Sequence, residues 1–248
     1  RLRTRVGPNG MDYKGDTIAV EATPSDGDAE GNTVMQGSGD IAVHVGTLHF
    51  TCKSIIDRFK DDIHPGDVFI SNDPYTGGTH FCDVRIVRPV FVEGELIAFT
   101  QSNGHWADIG GSTPGSFDIN ARTHFGEGLR ITPMRVYAQG RMLDDVVDMI
   151  VGNTRARDDA MGDFLAQCEA TRLGEQRLLE LVEKYGKDTV LAAFEECQDY
   201  VERFAREKLS SLPEGTWKTV DFIDQDPSRP EGLIPIHVEL TIKDNKVH

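Results

Sequence analysis

The chain has 248 residues, enough to bury a sizeable core as one large domain or two modest ones. With 41 acidic against 26 basic residues and a net charge of −15, it is not suited to general binding of nucleic-acid phosphate backbones. Its 38% hydrophobic content includes no apolar run near the roughly 18–20 residues of a membrane span, and the basic start Arg1-Leu2-Arg3-Thr4-Arg5 leads into no apolar segment of the secretory type.

Asp16 to Glu21 reads as a strand, followed by a loop with Asp-Gly turn chemistry over Ser25 to Asn32 and a second strand over Ile41 to Val45. Phe50, Ile55, Ile56 and Phe59 have roughly helical spacing, and Pro65-Gly66 stops that helix. Asp67 to Ser71 is a buried strand that delivers Asn72-Asp73. Asp83 to Val92 and Glu95 to Ser102 form a β-hairpin that turns at Glu93-Gly94. A further strand runs over Gly128 to Tyr137.

The period then changes. Leu143 to Ile150 is a short helix, and Asn153-Thr154 is placed to cap a long helix from about Arg155 to Tyr185. Beyond Gly186-Lys187 a second helix carries Val190, Phe194, Cys197, Val201 and Phe204 as one apolar stripe, so an antiparallel helical hairpin with a core or subunit-contact face is expected. Strands return at Thr216 to Ile223 and Ile234 to Ile242, with Asp224 to Gly232 as the linker candidate.

The pattern predicts an α+β fold: a β-rich region over residues 1–142, an inserted helical hairpin over 143–212, and the start of a further β region over 213–248. The chain lacks an initiator Met and ends on what reads as the first residues of a return strand, so a fragment of a longer subunit is expected. The four cysteines, Cys52, Cys82, Cys168 and Cys197, form no Cys-x-x-Cys pair. They read as small buried hydrophobes in a reduced, cytoplasmic protein.

Chemistry concentrates between Asn72 and Gly111. His80-Phe81-Cys82-Asp83 and His105-Trp106-Ala107-Asp108 are two His-x-x-Asp units on glycine-rich loops at the ends of the hairpin. A hairpin returns its ends to one place, so His80, Asp83 and His105 converge, and imidazole with carboxylate is the chemistry of a divalent-metal site. Two imidazoles and a carboxylate leave positions open for water or substrate, and the set permits zinc, manganese or iron.

Asp73 reads either as an Asx-turn residue or as a partner that orients a metal-bound imidazole. Asp108 admits three roles, as ligand, as acid–base or orienting group, and as loop cap; the second is expected. Trp106 lines a pocket or belongs to the core. His44, His49, His64, His124 and His237 lack a comparable setting and read as structural or exposed. The amides of Gly110-Gly111, Gly115-Ser116 and Gly126 to Gly128 are free to receive an anionic group. No phosphate loop of the Gly-x-x-x-x-Gly-Lys type is present in this sequence.

The strings NDPYTGGTHFCDV, GHWADIGG and TPGS resemble the signature of the hydantoinase B / 5-oxoprolinase family, which includes N-methylhydantoinase B, 5-oxoprolinase, caprolactamase and related subunits of acetone and acetophenone carboxylases. The likeness runs from about Gly31 through GNTRARDDAMGDFLAQCEATR to Ile234-Pro235-Ile236, and members are typically longer than this chain. The resemblance implies one divalent metal, zinc or manganese with iron as a third option, carried over onto His80, Asp83 and His105. An upstream carboxylate usually completes the site; this sequence departs from the family string there, and by offset Glu21 is the nearest match, with Asp26 and Asp28 behind it.

The resemblance further implies an actin-like-fold ATPase partner in a hetero-oligomer. That partner uses ATP to phosphorylate a small-molecule carbonyl substrate, and the metal-bearing chain completes the reaction. The reading that follows is the metal-bearing catalytic subunit of an ATP-dependent cyclic-amide hydrolase acting on hydantoins, lactams or 5-oxoproline. The alternatives are a subunit of an ATP-dependent ketone carboxylase, and a non-catalytic scaffold subunit, against which the intact His80, Asp83 and His105 set counts.

Overall fold

A computed structural model of the protein describes residues 17–22, 32–35, 44, 46–223, 232–244 and 246–248. Asp26 and Asp28, the expected strand at Ile41 to Val45 apart from His44, and the expected linker apart from Gly232 lie outside these residues. The chain forms two compact units, one reaching to Phe194 and the other starting at Glu195.

In the first unit, β1 (Thr17–Ala22), β2 (Asn32–Met35), β3 (Val68–Ser71), β4 (Asp83–Val92), β5 (Glu95–His105), β6 (Met134–Ala138) and β7 (Arg141–Met142) form, among the described residues, one sheet in the order β2-β1-β5-β4-β3-β6-β7. Every pairing is antiparallel. Among the described residues four helices belong with it: α1 (Leu48–Phe59), the one-turn α2 (His124–Glu127), α3 (Asp144–Val151) and α4 (Arg157–Tyr185). An antiparallel sheet with separate helices is the expected α+β class.

The hairpin of β4 and β5 is the axis. Val92 pairs with Glu95, and the two loop residues both take positive φ, 54° at Glu93 and 85° at Gly94. That is the primed turn geometry whose twist matches the strands it joins.

Both faces of the sheet are buried at β3, β4 and β5, which is why β3 reads Val-Phe-Ile without polar alternation. Val68, Ile70, Val84 and Ile86 pack with Val147 and Ile150 of α3 and Phe164 of α4. Phe69, Val87 and Phe99 pack on the other face with Cys52 and Ile55 of α1. Burying each such side chain stabilises the fold by about 1.5–3 kcal/mol.

Gln167 of α4 crosses to the hairpin: its Oε1 accepts from Trp106 Nε1 (2.8 Å) and its Nε2 donates to Val84 O (2.8 Å). Gly104 makes room for it, since a Cβ there would lie 2.7 Å from Gln167 Cδ. Trp106 is therefore core, the simpler of its two expected roles.

Two expectations about the helices need correction. Asn153 and Thr154 do not cap α4, whose N-cap is Ala156 without a side-chain bond. Their side chains instead donate backward, Asn153 Nδ2 to Met149 O and Thr154 Oγ1 to Val151 O, and close the end of α3. The expected strand over Gly128 to Tyr137 is regular only in β6. Upstream, Leu129 and Ile131 are bonded to Ile109 O and to the Asn72 side chain rather than to a strand ladder.

The second long helix, α5 (Lys187–Ser210), begins in the first unit, where Val190, Leu191 and Phe194 pack with Leu178 and Val182 of α4. The rest of the predicted stripe is not core: Cys197, Val201 and Phe204 are exposed, so Cys197 is not the buried thiol expected of it. The second unit also holds β8 (Gly215–Ile223), β9 (Ile234–Lys243) and β10 (Lys246–Val247), in the order β10-β9-β8. Register sets Trp217 opposite Leu240 and Thr219 opposite Val238, which gathers an apolar face that is exposed. Among the described residues, no helix is long and apolar enough to cross a membrane.

Candidate metal centre

The site is built on the open end of the hairpin. β3 ends at Ser71, and the fully buried Asn72 then ties three segments together. Its Nδ2 donates to Phe81 O (2.7 Å) and Leu129 O (2.9 Å), and its Oδ1 accepts from Ile131 N–H (2.7 Å). Asp73 fixes the loop that follows. Its Oδ1 accepts from Tyr75 N–H (3.0 Å), its carbonyl accepts from Gly78 N–H (2.8 Å), and its Oδ2 lies 2.8 Å from Arg130 Nη2. These contacts match the Asx-turn role.

Gly77 takes φ +106° in this loop, and a Cβ on it would stand 2.4 Å from the backbone of Phe50 in α1. The loop thus lies flat on α1. Buried Arg85 locks it there, donating to Gly77 O, Thr47 O (3.0 Å), Thr47 Oγ1 (2.8 Å) and Asn103 Oδ1 (3.2 Å).

His80 follows; its ring lies beside that of His105 and within hydrogen-bonding distance of Asp83, while the donor atoms in mutual reach are those of His80, Cys82 and His105, without Asp83. Asp83 and His105 are register partners at the start of β4 and the end of β5. The His80 and His105 rings lie 5.0 Å apart, and His80 Nδ1 is 3.0 Å from Asp83 Oδ2. The same oxygen accepts from Thr79 Oγ1 and lies 3.2 Å from His44 Nε2. Burial raises the carboxyl's pKa, but the bonds from His80, Thr79 and His44 outweigh it and hold the group well below the usual carboxylate range. The bond to Asp83 in turn raises the pKa of His80 against the effect of burial.

A further donor joins them. One ligand atom each of His80, Cys82 and His105 can be chosen so that all lie within 4.8 Å of one another. The Cys82 thiol is buried, and its pKa is pushed up by burial and by the Asp83 and Asp108 charges. Two imidazoles and a thiol in mutual reach, with a carboxylate bonded to one of the rings, form a donor set that fits a divalent ion.

Among the other sequence-predicted residues, Asp108 is not in the group of donors in mutual reach, although its charge acts on Cys82. Asp108 is buried with both oxygens engaged: Oδ1 accepts from the N–H groups of Gly110 (2.8 Å) and Arg155 (3.0 Å), Oδ2 from Gly115 N–H (2.9 Å) and Arg155 Nη1 (3.0 Å). Burial raises its pKa, but these donors outweigh that and lower it. Its contacts are those of a loop clamp. They also use the amides of Gly110 and Gly115, two of those expected to receive a foreign anion.

On β1, Glu21 is the register partner of Phe99, six positions along β5 from the His105 partner of Asp83. Its side chain lies outside the described residues. Asp26 and Asp28 do as well.

His44 and Cys82 were missed from sequence. No local pattern marks His44, because the chain brings it to Asp83 only through the α1 packing. Cys82 carried a signal in its position between His80 and Asp83, but it lacked the electropositive sequence neighbours by which reactive thiols are recognised.

A model of the hydantoinase B/oxoprolinase family matches residues 27–248. The chain is 36% identical over 215 residues to the beta chain of the caprolactamase of Pseudomonas jessenii, covering 87% of this chain and 37% of that protein. It is 39% identical over 194 residues to the B-type component of a putative D-/L-hydantoinase from a Pseudomonas species (strain NS671), covering 76% and 33%. The crystal structure of the ATP-dependent caprolactamase from Pseudomonas jessenii superposes with a TM-score of 0.87 at 33% identity, covering 95% of this chain and 39% of that one. The chain therefore spans 33–39% of the length of these relatives.

Proposed function

The chain belongs to the hydantoinase B/oxoprolinase family, and on that premise we propose that it is the metal-bearing part of an ATP-dependent cyclic-amide hydrolase, acting on hydantoins, lactams or 5-oxoproline. The reading is supported by the closeness of the His80 and His105 rings, 5.0 Å apart, with Asp83 Oδ2 3.0 Å from His80 Nδ1 and in register with His105. In this proposal His80 and His105 offer ring nitrogens to one divalent ion, zinc or manganese with iron as the third option, and Asp83 offers its carboxylate. When bound, such an ion supplies Lewis-acid polarisation of a carbonyl and eases deprotonation of water.

The chain's own groups do the positioning. Asp83 holds the His80 ring, Gln167 holds Trp106 and with it the neighbouring His105, and Asp108 holds the glycine loop beyond. Higher identity to the caprolactamase and hydantoinase chains, 36% and 39%, than to the delta subunit of an acetophenone carboxylase, 32%, supports hydrolysis over carboxylation. An actin-like-fold ATPase, in a hetero-oligomer with this chain, supplies the phosphorylated small-molecule carbonyl substrate in a reducing, cytoplasmic setting. The upstream carboxylate of the site is left unassigned.

The test is to co-purify the chain with its ATPase partner and follow ATP hydrolysis with hydantoins, lactams, 5-oxoproline and ketones, with and without bicarbonate. Bicarbonate-independent hydrolysis driven by a cyclic amide, with ring-opened product, is expected. Turnover that needs a ketone and bicarbonate overturns the hydrolase reading. ATP turnover by the isolated chain overturns the division of labour.

A further inference from the structure

We propose that Arg130, with Tyr75 and His124, forms a recognition point for an oxyanion, a phosphate or carboxylate group, next to the loop that carries His80. The inference rests on the hydrolase reading for the identity of its ligand, and deepens it by naming the residues that hold the substrate. Three observations carry it.

The first is place. Buried Asn72 donates through one nitrogen, Nδ2, to both Phe81 O (2.7 Å) and Leu129 O (2.9 Å). Phe81 follows His80 in the chain, and Leu129 precedes Arg130. Two carbonyls on one donor atom mean that the backbone bearing Arg130 runs alongside the backbone bearing His80. The turn of α2 is stitched to the same region, since Gly126 O accepts from Ser112 N–H (2.8 Å) and Leu129 N–H donates to Ile109 O (2.7 Å). The His124 ring centre then lies 6.3 Å from those of both Phe81 and Tyr75.

The second is the preparation of Arg130. Its Nη2 lies 2.8 Å from Oδ2 of the fully buried Asp73, and its Cζ stands 5.1 Å from the centre of the Tyr75 ring. Asp73 Oδ1 accepts from Tyr75 N–H (3.0 Å), so one carboxylate sets both the guanidinium and the ring it stacks on. A guanidinium stacked on an aromatic face keeps its edge N–H groups for a carboxylate or phosphate. The Asp73 charge offsets that of Arg130, so selection rests on donor geometry more than on net charge.

The third is unused capacity. Tyr75 is 72% exposed, and Arg130 is exposed as well. Among the described residues, neither the Tyr75 hydroxyl nor a ring nitrogen of His124 is engaged in a hydrogen bond. A hydroxyl, an imidazole and a guanidinium edge, brought together from three separate segments, are the donors that an oxyanion accepts from. Two sources share this chemistry: the phosphoryl group of an activated carbonyl substrate, and a carboxylate borne on the substrate ring, as in 5-oxoproline.

The experiment titrates the full chain with sodium phosphate, sodium acetate or sodium chloride, each alone at fixed pH. The ring C–H proton signals of His124, assigned by their absence from His124→Gln, are followed by nuclear magnetic resonance. A saturating shift with phosphate or acetate, and none with chloride, is expected; phosphate marks the phosphoryl source and acetate the carboxylate. Arg130→Lys keeps the charge and loses the fork, and should weaken binding of the saturating probe roughly 10-fold or more, the scale of a hydrogen bond to a charged group. Tyr75→Phe removes only an exposed hydroxyl, and should weaken it less at an unchanged melting temperature, which keeps the test open if Arg130→Lys does not fold.

Shifts that chloride reproduces report ionic strength alone and overturn the proposal. So does an affinity unchanged in both variants. A complex that opens cyclic amides while the chain shows no saturation overturns this proposal and leaves the hydrolase reading standing. Saturable binding that depends on Arg130, in a chain whose complex opens no cyclic amide, supports the site and overturns the hydrolase reading.

Discussion

Asp83 and His105 are register partners across β4 and β5, although the whole hairpin lies between them in the chain. Pairing of this kind is enforced by every rung of the ladder down to the Glu93-Gly94 turn. A slip of one residue would move each side chain to the other face. The two groups are therefore held by the strongest element of the fold, and His80 meets them from the loop that precedes β4.

Replacement of His105 by Ala should empty the site. Elemental analysis is expected to fall from about one ion per chain toward zero, with loss of product formation by the assembled complex. His44→Ala should instead weaken the site, because His44 touches Asp83 at 3.2 Å and so bears on the site through that carboxylate. A loss of roughly 10–100-fold in metal affinity is expected, read by chelator competition. Equal loss in the two variants would make His44 a ligand.

Asp108→Asn should destabilise the fold by about 1–3 kcal/mol, since an amide nitrogen would then face N–H donors in a buried place. Little of this comes from the exposed Arg155 guanidinium, whose ion pair is screened by solvent. The metal content of the folded variant should stay near that of wild type. A variant of full stability that has lost turnover would return Asp108 to an acid–base role.

The same carboxylate gives a pH dependence. Its folded-state pKa is lowered, so its stabilisation is complete above the unfolded value of about 3.9 and drains away as pH falls through the folded pKa. Urea midpoints of wild type and Asp108→Asn should differ at neutral pH and converge in acid. A constant difference across that window would show that the carboxylate charge is not the source.

Gly77→Ala and Gly94→Ala separate crowding from backbone strain. Both positions have positive φ, but a Cβ on Gly94 meets nothing within 4 Å, whereas on Gly77 it would overlap the Phe50 backbone. Gly94→Ala should cost about 1–3 kcal/mol from φ alone. Gly77→Ala should cost more and should also lower metal affinity, since the loop must lift from α1 and carries His80 with it. Thermal melts with metal titrations check both. Equal costs would mean that the loop does not rest on α1.

Gln167→Leu should cost about 1–3 kcal/mol for each polar group it strands, the indole N–H of Trp106 and the Val84 carbonyl. Indole fluorescence should report a loosened Trp106. A variant as stable as wild type would show that water replaces the side chain.

Local patterns determined much of this protein. The Val-Phe-Ile run, the Glu93-Gly94 turn and the apolar spacing of the helices are read within a few residues of themselves, so β3, the hairpin and the long helices were legible in sequence. The hairpin also made the meeting of Asp83 with His105 legible, because an antiparallel pair fixes distant partners by counting back from its turn. Glycine-rich loops beside two His-x-x-Asp units marked the place of the site.

What the chain could not announce is what depends on packing between elements far apart in sequence. Asp108 has the spacing of a second metal unit, yet Arg155, arriving from before α4, joins the loop amides in engaging both of its oxygens. Asn153 and Thr154 have the chemistry of a cap, and the end of α3 takes them first. His44 gained its role only when α1 was laid against the sheet, and Cys82 only when its buried side chain was seen beside two exposed imidazoles. Periodicity and turn chemistry act over one or two turns of chain. The partners of a polar side chain are settled by burial, which leaves each donor and acceptor to find whatever the tertiary fold sets beside it.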